Sequence, residues 1–199
     1  MPIFSNDHRR VLFLHNPKTG GVSINHLFDR AGWKVELNHW VGHHEHYASR
    51  EGSLMHLTYS EISEYYNIEE FDYCFTVVRN PYDRAVSEYH WQKQHEPFNE
   101  WFTNNMAQSE QTHLPRKYHD NHFLPQINWT GEHVNVFYLE QGMDVIGKQI
   151  GEHLGVEFPR TDFHSNISNK TITVDDIDKS LVYNAYKQDF ERFGYDSAR

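Results

Sequence analysis

The stretch "NPKTGGVS", residues 16–23, gathers one cation, two hydroxyls and two glycines into a few residues. Lys18 supplies a mobile positive charge, and Thr19 and Ser23 supply hydroxyls. Gly20 and Gly21, followed by Val22, let the backbone come close to a bulky anion without side-chain obstruction. If a helix starts here, its free N–H groups and the positive end of its dipole point at the same anion. The chemistry that suits such a turn is phosphate or sulfate binding. A plain glycine turn with a solvated lysine is the alternative for the pattern taken alone. It is not the G-x-x-x-x-G-K-[ST] loop of many nucleotide hydrolases, because both glycines follow the lysine.

A second stretch, "VVRNPYDRAVSEY", carries Arg79 at the end of an apolar run. A guanidinium there can grip a phosphate with two parallel hydrogen bonds. Asn80 is suited to cap a helix and Pro81 to open it, with Asp83 in the first turn where the dipole favours it. Ser87 lies about two turns further on and could add a hydroxyl. Taken singly, Arg79 reads equally as a surface ion-pair partner and Ser87 as an ordinary helical serine.

Alternating elements place these turns. "VLFLH" (11–15), "FDYCFTVV" (71–78) and "VNVFYLE" (134–140) read as buried strands. "VSINHLFDRAG" reads as a helix stopped by Gly32. "TYSEISEYY" reads as a short helix with capping-box spacing between Thr58 and Glu61. "MDVIGKQIGEHLG" is amphipathic, and Thr173 with Asp176 is placed to open a long final helix. Strand and helix in turn predict an α/β fold with a mostly parallel central sheet flanked by helices. Ligands of such sheets sit at the carboxyl ends of the strands, where both cationic turns fall. The segments 39–55 and 108–131 break the alternation, as functional loops do.

The order strand, "PKTGG", helix, strand, "RNPYDRAVSEY", helix resembles the sulfotransferases that use 3′-phosphoadenosine 5′-phosphosulfate (PAPS), and looks closest to the carbohydrate and heparan-sulfate branch with its bacterial-type relatives. The resemblance runs from about Val11 to Thr171 and implies a P-loop-like sulfotransferase fold. It implies that Lys18, Thr19, Gly20, Gly21, Val22 and Ser23 bind the 5′-phosphosulfate, and that Arg79 and Ser87 bind the 3′-phosphate. "HSNISNKT" looks like a loop near the nucleotide's 3′ end, which adds Asn166 and Lys170 as donor contacts. The product would be adenosine 3′,5′-bisphosphate (PAP).

Sulfuryl transfer requires in-line attack and stabilisation of the departing charge, for which Lys18 is the candidate. It also requires a base for the acceptor hydroxyl, and histidine suits that near neutral pH. The chain has 16 histidines, so type alone selects none. The resemblance favours His56, just before "LTYSEI", as the catalytic histidine. His122 in "NHFLPQ" and the cluster His39, His43, His44 and His46 follow, with His122 and Trp40 as acceptor contacts. Trp40, Tyr47 and Trp129 could stack on a sugar or aromatic acceptor, or serve as core. The histidine cluster with Glu45 lacks the H-E-x-x-H or cysteine pattern of a zinc site, and the expected scheme needs no metal. A P-loop-like nucleotide kinase and a non-catalytic nucleotide-binding module are the alternatives to a transferase.

The whole chain limits the rest. At 199 residues it reads as one domain, 1–199, long enough to bury a core. A net charge of −10 argues against nucleic acid and anionic membranes as partners, leaving a small-molecule or oligosaccharide acceptor. One cysteine, Cys74, excludes an internal disulfide and reads as a small core residue in a reducing, cytoplasmic protein. The N-terminus lacks the order of a signal peptide. Oligomeric state is not legible.

Overall fold

The computed structural model describes residues 2–36, 54–92, 95–109, 120–159 and 171–199. The predicted sites at Trp40, Asn166 and Lys170, and the cluster His39 to His46 with Tyr47, lie outside the described residues.

The centre is a five-stranded sheet of β1 (Ile3–Ser5), β2 (Arg10–Leu14), β3 (Lys34–Glu36), β4 (Tyr73–Val78) and β5 (Val134–Tyr138), ordered β3-β1-β2-β4-β5. β2 pairs with β4 and β4 with β5 in parallel, whereas β1 runs antiparallel to both β2 and β3. The sheet is therefore mixed, not mostly parallel. The expectation failed at β1 and β3, whose three residues each are too short to show a period. A tight link between β1 and β2, where Asn6 Oδ1 accepts from the N–H groups of His8 and Arg9, needs no crossover helix and forces the antiparallel pairing.

The strands alternate sides as a period of two requires. Ile3, Leu12, Leu14 and Cys74 pack beneath Leu54, Leu57, Ile62 and Trp129. Phe4, Val11, Phe13 and Phe75 pack beneath α1 (Gly21–Arg30) and α5 (Met143–Leu154), through Ile24, Phe28, Ile146 and Ile150. β4 is buried at all six positions, as a central strand must be. Cys74 is a core residue as expected, and burial pushes its thiol up to about 12. Trp129 is fully buried, so it is core and not a stacking platform for an acceptor.

A third cluster joins α3 (Pro81–Trp91), α4 (Phe98–Ser109) and α6 (Lys179–Phe193). α3 starts as the sequence predicts: the Asn80 side chain accepts from Tyr82 N–H and Pro81 follows. α2 (Tyr59–Ser63) carries the Thr58–Glu61 capping box. Thr173 and Asp176 cap only a single 3₁₀ turn, and α6 starts later, on Asp178. No helix among the described residues is long and apolar enough to cross a membrane.

Candidate active site

β2 and β4 are parallel neighbours, so the turns that leave their carboxyl ends emerge side by side. The first turn runs from His15 to Gly20 into α1. Lys18 has φ 64° and Gly20 φ 89°, two left-handed positions that curl the backbone before the helix. Gly20 caps α1 with no side-chain hydrogen bond, so the amides of Gly21, Val22 and Ser23 have neither a capping side chain nor an intrahelical carbonyl. Gly21 packs so tightly on the His15 ring that any Cβ would collide with it. The Thr19 hydroxyl is fully buried and donates to the Asn16 carbonyl at 2.8 Å. It closes the turn, leaving only its backbone to face a ligand.

The second turn, Arg79–Asn80, meets the first. Arg79 Nη1 lies 3.4 Å from the Lys18 carbonyl oxygen and donates to it. Burial lowers the guanidinium's affinity for its proton, while Asp83 and Glu140 work the other way. Lys18 is likewise lowered by burial, with Glu88 opposing and Arg79 reinforcing. Two partly desolvated cations held together in this way favour a polyanion between or beside them. Ser87 lies half-buried on α3.

A buried amide holds the two turns in register. Gln126 Oε1 accepts from Asn16 Nδ2 and from Arg79 N–H, both at 2.9 Å, and Gln126 Nε2 donates to the Arg79 carbonyl at 2.8 Å. The carboxylate of Asp189 on α6 accepts from the Gln126 and Ile127 N–H groups in turn. Burial raises Asp189, with Arg84 and those two N–H groups offsetting part of it.

On the other side of Lys18 stand three imidazoles. The His56 ring centroid lies 4.5 Å from that of His15 and 4.8 Å from that of His122. His56 Nδ1 is 2.9 Å from the His15 carbonyl, which can only accept, so Nδ1 carries the proton and Nε2 the lone pair. His122 Nδ1 is 2.8 Å from Glu88 Oε2, which fixes the same tautomer. Trp91 stacks on His122 at 5.0 Å, and Lys18 Nζ lies 5.1 Å from the centre of the Trp91 ring. Asp120 and Asn121 precede His122 in left-handed conformations, a strain typical of functional turns. Asn121 Nδ2 pins that turn by donating to the His56 carbonyl and to Glu61.

Ligating atoms of His56, Asp120 and His122 lie within 4.8 Å of one another, so among the described residues these three could hold a cation. The same lone pairs can equally accept protons from hydroxyls. The predicted residues Lys18, Arg79, His56 and His122 thus come together. Among the described residues, His15, Glu88, Trp91, Asp120 and Gln126 join the site and were not singled out from sequence. Glu88 had a legible signal: it lies three residues beyond Ala85 and one before Tyr89 on the buried stripe of α3, where an unpaired carboxylate would be costly.

The sulfotransferase family matches residues 1–196. The chain belongs to that family. For a sulfotransferase, the uncapped start of α1 and the two adjoining cations are the parts expected to meet an anionic donor. The match leaves the nucleotide kinase without support. No curated protein and no solved structure matches the chain significantly.

Burial holds His56 and His15 well below the ordinary histidine value of 6.5; for His56 the two neighbouring imidazoles add to this and its carbonyl hydrogen bond opposes it. The unfolded chain therefore binds protons at these positions below pH 6.5 that the folded chain refuses. Stability is complete above that value and falls as pH drops through it, by up to about 1.4 kcal/mol per pH unit for each histidine. Thermal melts from pH 7.5 to 5.5 should show Tm declining below about 6.5, with a shallower decline in His56→Gln. A flat profile would mean that these imidazoles are not held neutral.

Proposed function

We propose that this sulfotransferase moves a sulfuryl group from PAPS to a hydroxyl of a small or oligomeric acceptor, carbohydrate in the first instance, releasing PAP. The observation that carries the reading is the junction of the Lys18 turn with Arg79 at the ends of β2 and β4. The amides of Gly21, Val22 and Ser23 and the Lys18 ammonium would hold the 5′-phosphosulfate, and Arg79 with Ser87 the 3′-phosphate. Lys18 then opposes the charge that builds on the 5′-phosphate as it departs. The acceptor proton passes to an imidazole of the His56–His122 pair, which pack edge to face at 4.8 Å between ring centroids. A carbohydrate acceptor is supported by the resemblance of the two cationic turns to the carbohydrate branch of the family, and a cytoplasmic setting by the lone buried thiol, which fits a reducing compartment.

Thermal shift tests the donor. PAP at one hundred times its Kd should stabilise the folded protein by about 2.7 kcal/mol, a rise of roughly 5–10 °C, and ATP with magnesium should do far less. Labelled PAPS should then pass its sulfuryl group to a sugar hydroxyl. Stabilisation by ATP with magnesium and none by PAP would refute the reading.

A further inference from the structure

The two imidazoles that face the acceptor side are backed differently. His56 gives its Nδ1 proton to a neutral carbonyl, that of His15. His122 gives its own to the carboxylate of Glu88. Glu88 is 3% exposed and also accepts from Gln92 Nε2 at 2.7 Å. Burial alone would raise Glu88, but His122, Lys18 and Gln92 together outweigh it and hold the group below its ordinary value, so it stays an anion. A buried anion behind an imidazole fixes the tautomer and steadies the imidazolium that forms as a proton arrives. A carbonyl dipole does this less well, and His56 also faces the two other imidazoles. Among the described residues, the charged and titratable groups around His122 are Glu88 on α3, Arg84 on the same helix, whose Nη1 donates to the His122 carbonyl at 3.1 Å, Asp120 on its own turn, His56, His15 and Lys18.

We propose that His122 is the catalytic base, that Glu88 is the positioning residue behind it, and that His56 and Asp120 instead accept from neighbouring hydroxyls of a polyol or sugar acceptor. This rests on the sulfuryl-transfer reading and reverses the order in which the sequence ranks the two histidines. The two ring nitrogens and one carboxylate oxygen lie within 4.8 Å of one another, so one acceptor carrying adjacent hydroxyls can reach all three. A cluster of acceptors selects a ligand rich in O–H donors, which a phenol with a single hydroxyl is not. In the step itself, the acceptor O–H bond breaks and its proton goes to His122 Nε2. The oxygen forms the new bond to sulfur. The bond from sulfur to the bridging oxygen breaks, its electron pair stays on the 5′-phosphate, and PAP leaves. His122 then gives the proton to solvent.

Turnover and PAP affinity measured on His122→Ala, His56→Ala and Glu88→Gln, each with and without added imidazole, test the proposal. His122→Ala should lose at least about 100-fold in kcat and regain part of it with imidazole, with PAP binding within about threefold. His122→Gln replaces it if the alanine variant does not fold. Glu88→Gln should lose about tenfold in kcat with PAP binding kept or tightened, since it removes only negative charge. His56→Ala should mainly raise the acceptor KM, without imidazole rescue, and the wild type should favour diol acceptors over phenols. Rescue of His56→Ala with His122→Ala still turning over would overturn the assignment. If the wild type binds no PAP, the sulfuryl-transfer reading itself falls and takes the proposal with it. Loss of PAP affinity confined to the variants would overturn the proposal alone.

Discussion

Replacing Lys18 with alanine should lower kcat by about 100- to 1,000-fold while PAP affinity changes far less. Lys18 is built into a left-handed turn at the mouth of α1, and its ammonium lies 5.1 Å from the face of Trp91. Burial and Arg79 lower the ammonium's affinity for its proton, and the Glu88 carboxylate opposes them. A cation so placed does most where charge grows during the reaction, on the departing phosphate, and less where charge is constant. Lys18→Arg should not restore the rate, because a planar fork in the same turn meets the aromatic face and the Arg79 side chain differently from a compact ammonium. Single-turnover kinetics with labelled PAPS, set beside calorimetric PAP binding, separate the two effects. An equal loss in both would make Lys18 a binding residue only.

The second large effect is expected far from the chemistry, at Gln126. Its amide is fully buried and ties Asn16 in the first turn to both backbone polar groups of Arg79 in the second. Gln126→Leu keeps most of the volume and leaves the Arg79 N–H and carbonyl without this partner. An unmet buried polar group costs about 1–3 kcal/mol, so the loss should be about 3 kcal/mol and Tm should fall by roughly 6–12 °C. Donor affinity should fall as well, because the two cationic turns lose their common brace. Asp189→Asn is the milder companion, since it preserves an acceptor for only part of the Gln126 and Ile127 N–H pair. Calorimetry and PAP titration on Gln126→Leu check both effects. Unchanged stability would show that the clasp is dispensable.

Much of the frame was legible because local signals and tertiary contacts agree there. Asn80–Pro81 marks the start of α3, Gly32 stands just past the end of α1 in a left-handed conformation, and the apolar run 71–78 contains the fully buried central strand. The cationic turns were legible only as a pair: a lysine turn or a strand-end arginine has other uses when taken singly, and their common order along the chain is what pointed to one anion. What escaped was whatever depends on distant pairing. β1 and β3 are defined by each other and by β2, not by their own three residues. α4, with buried Phe98, Trp101 and Phe102, was not read as a separate element. Gln126 is an unremarkable polar residue in a row of letters and gains meaning only from the partners that burial gives it. Thr19 shows the reverse: a hydroxyl chosen for its type is spent on its own turn.

One ligand comparison tests most directly whether the Lys18 and Arg79 turns hold opposite ends of the donor. PAP and 5′-AMP differ only by the 3′-phosphate, so their Kd ratio reports what grips that group. The wild type should prefer PAP by about 10- to 100-fold, the range of a charge-assisted contact of 1.5–3 kcal/mol, and Arg79→Ala should lose most of that preference while Lys18→Ala retains it. Equal ratios in the wild type and Arg79→Ala would contradict the account.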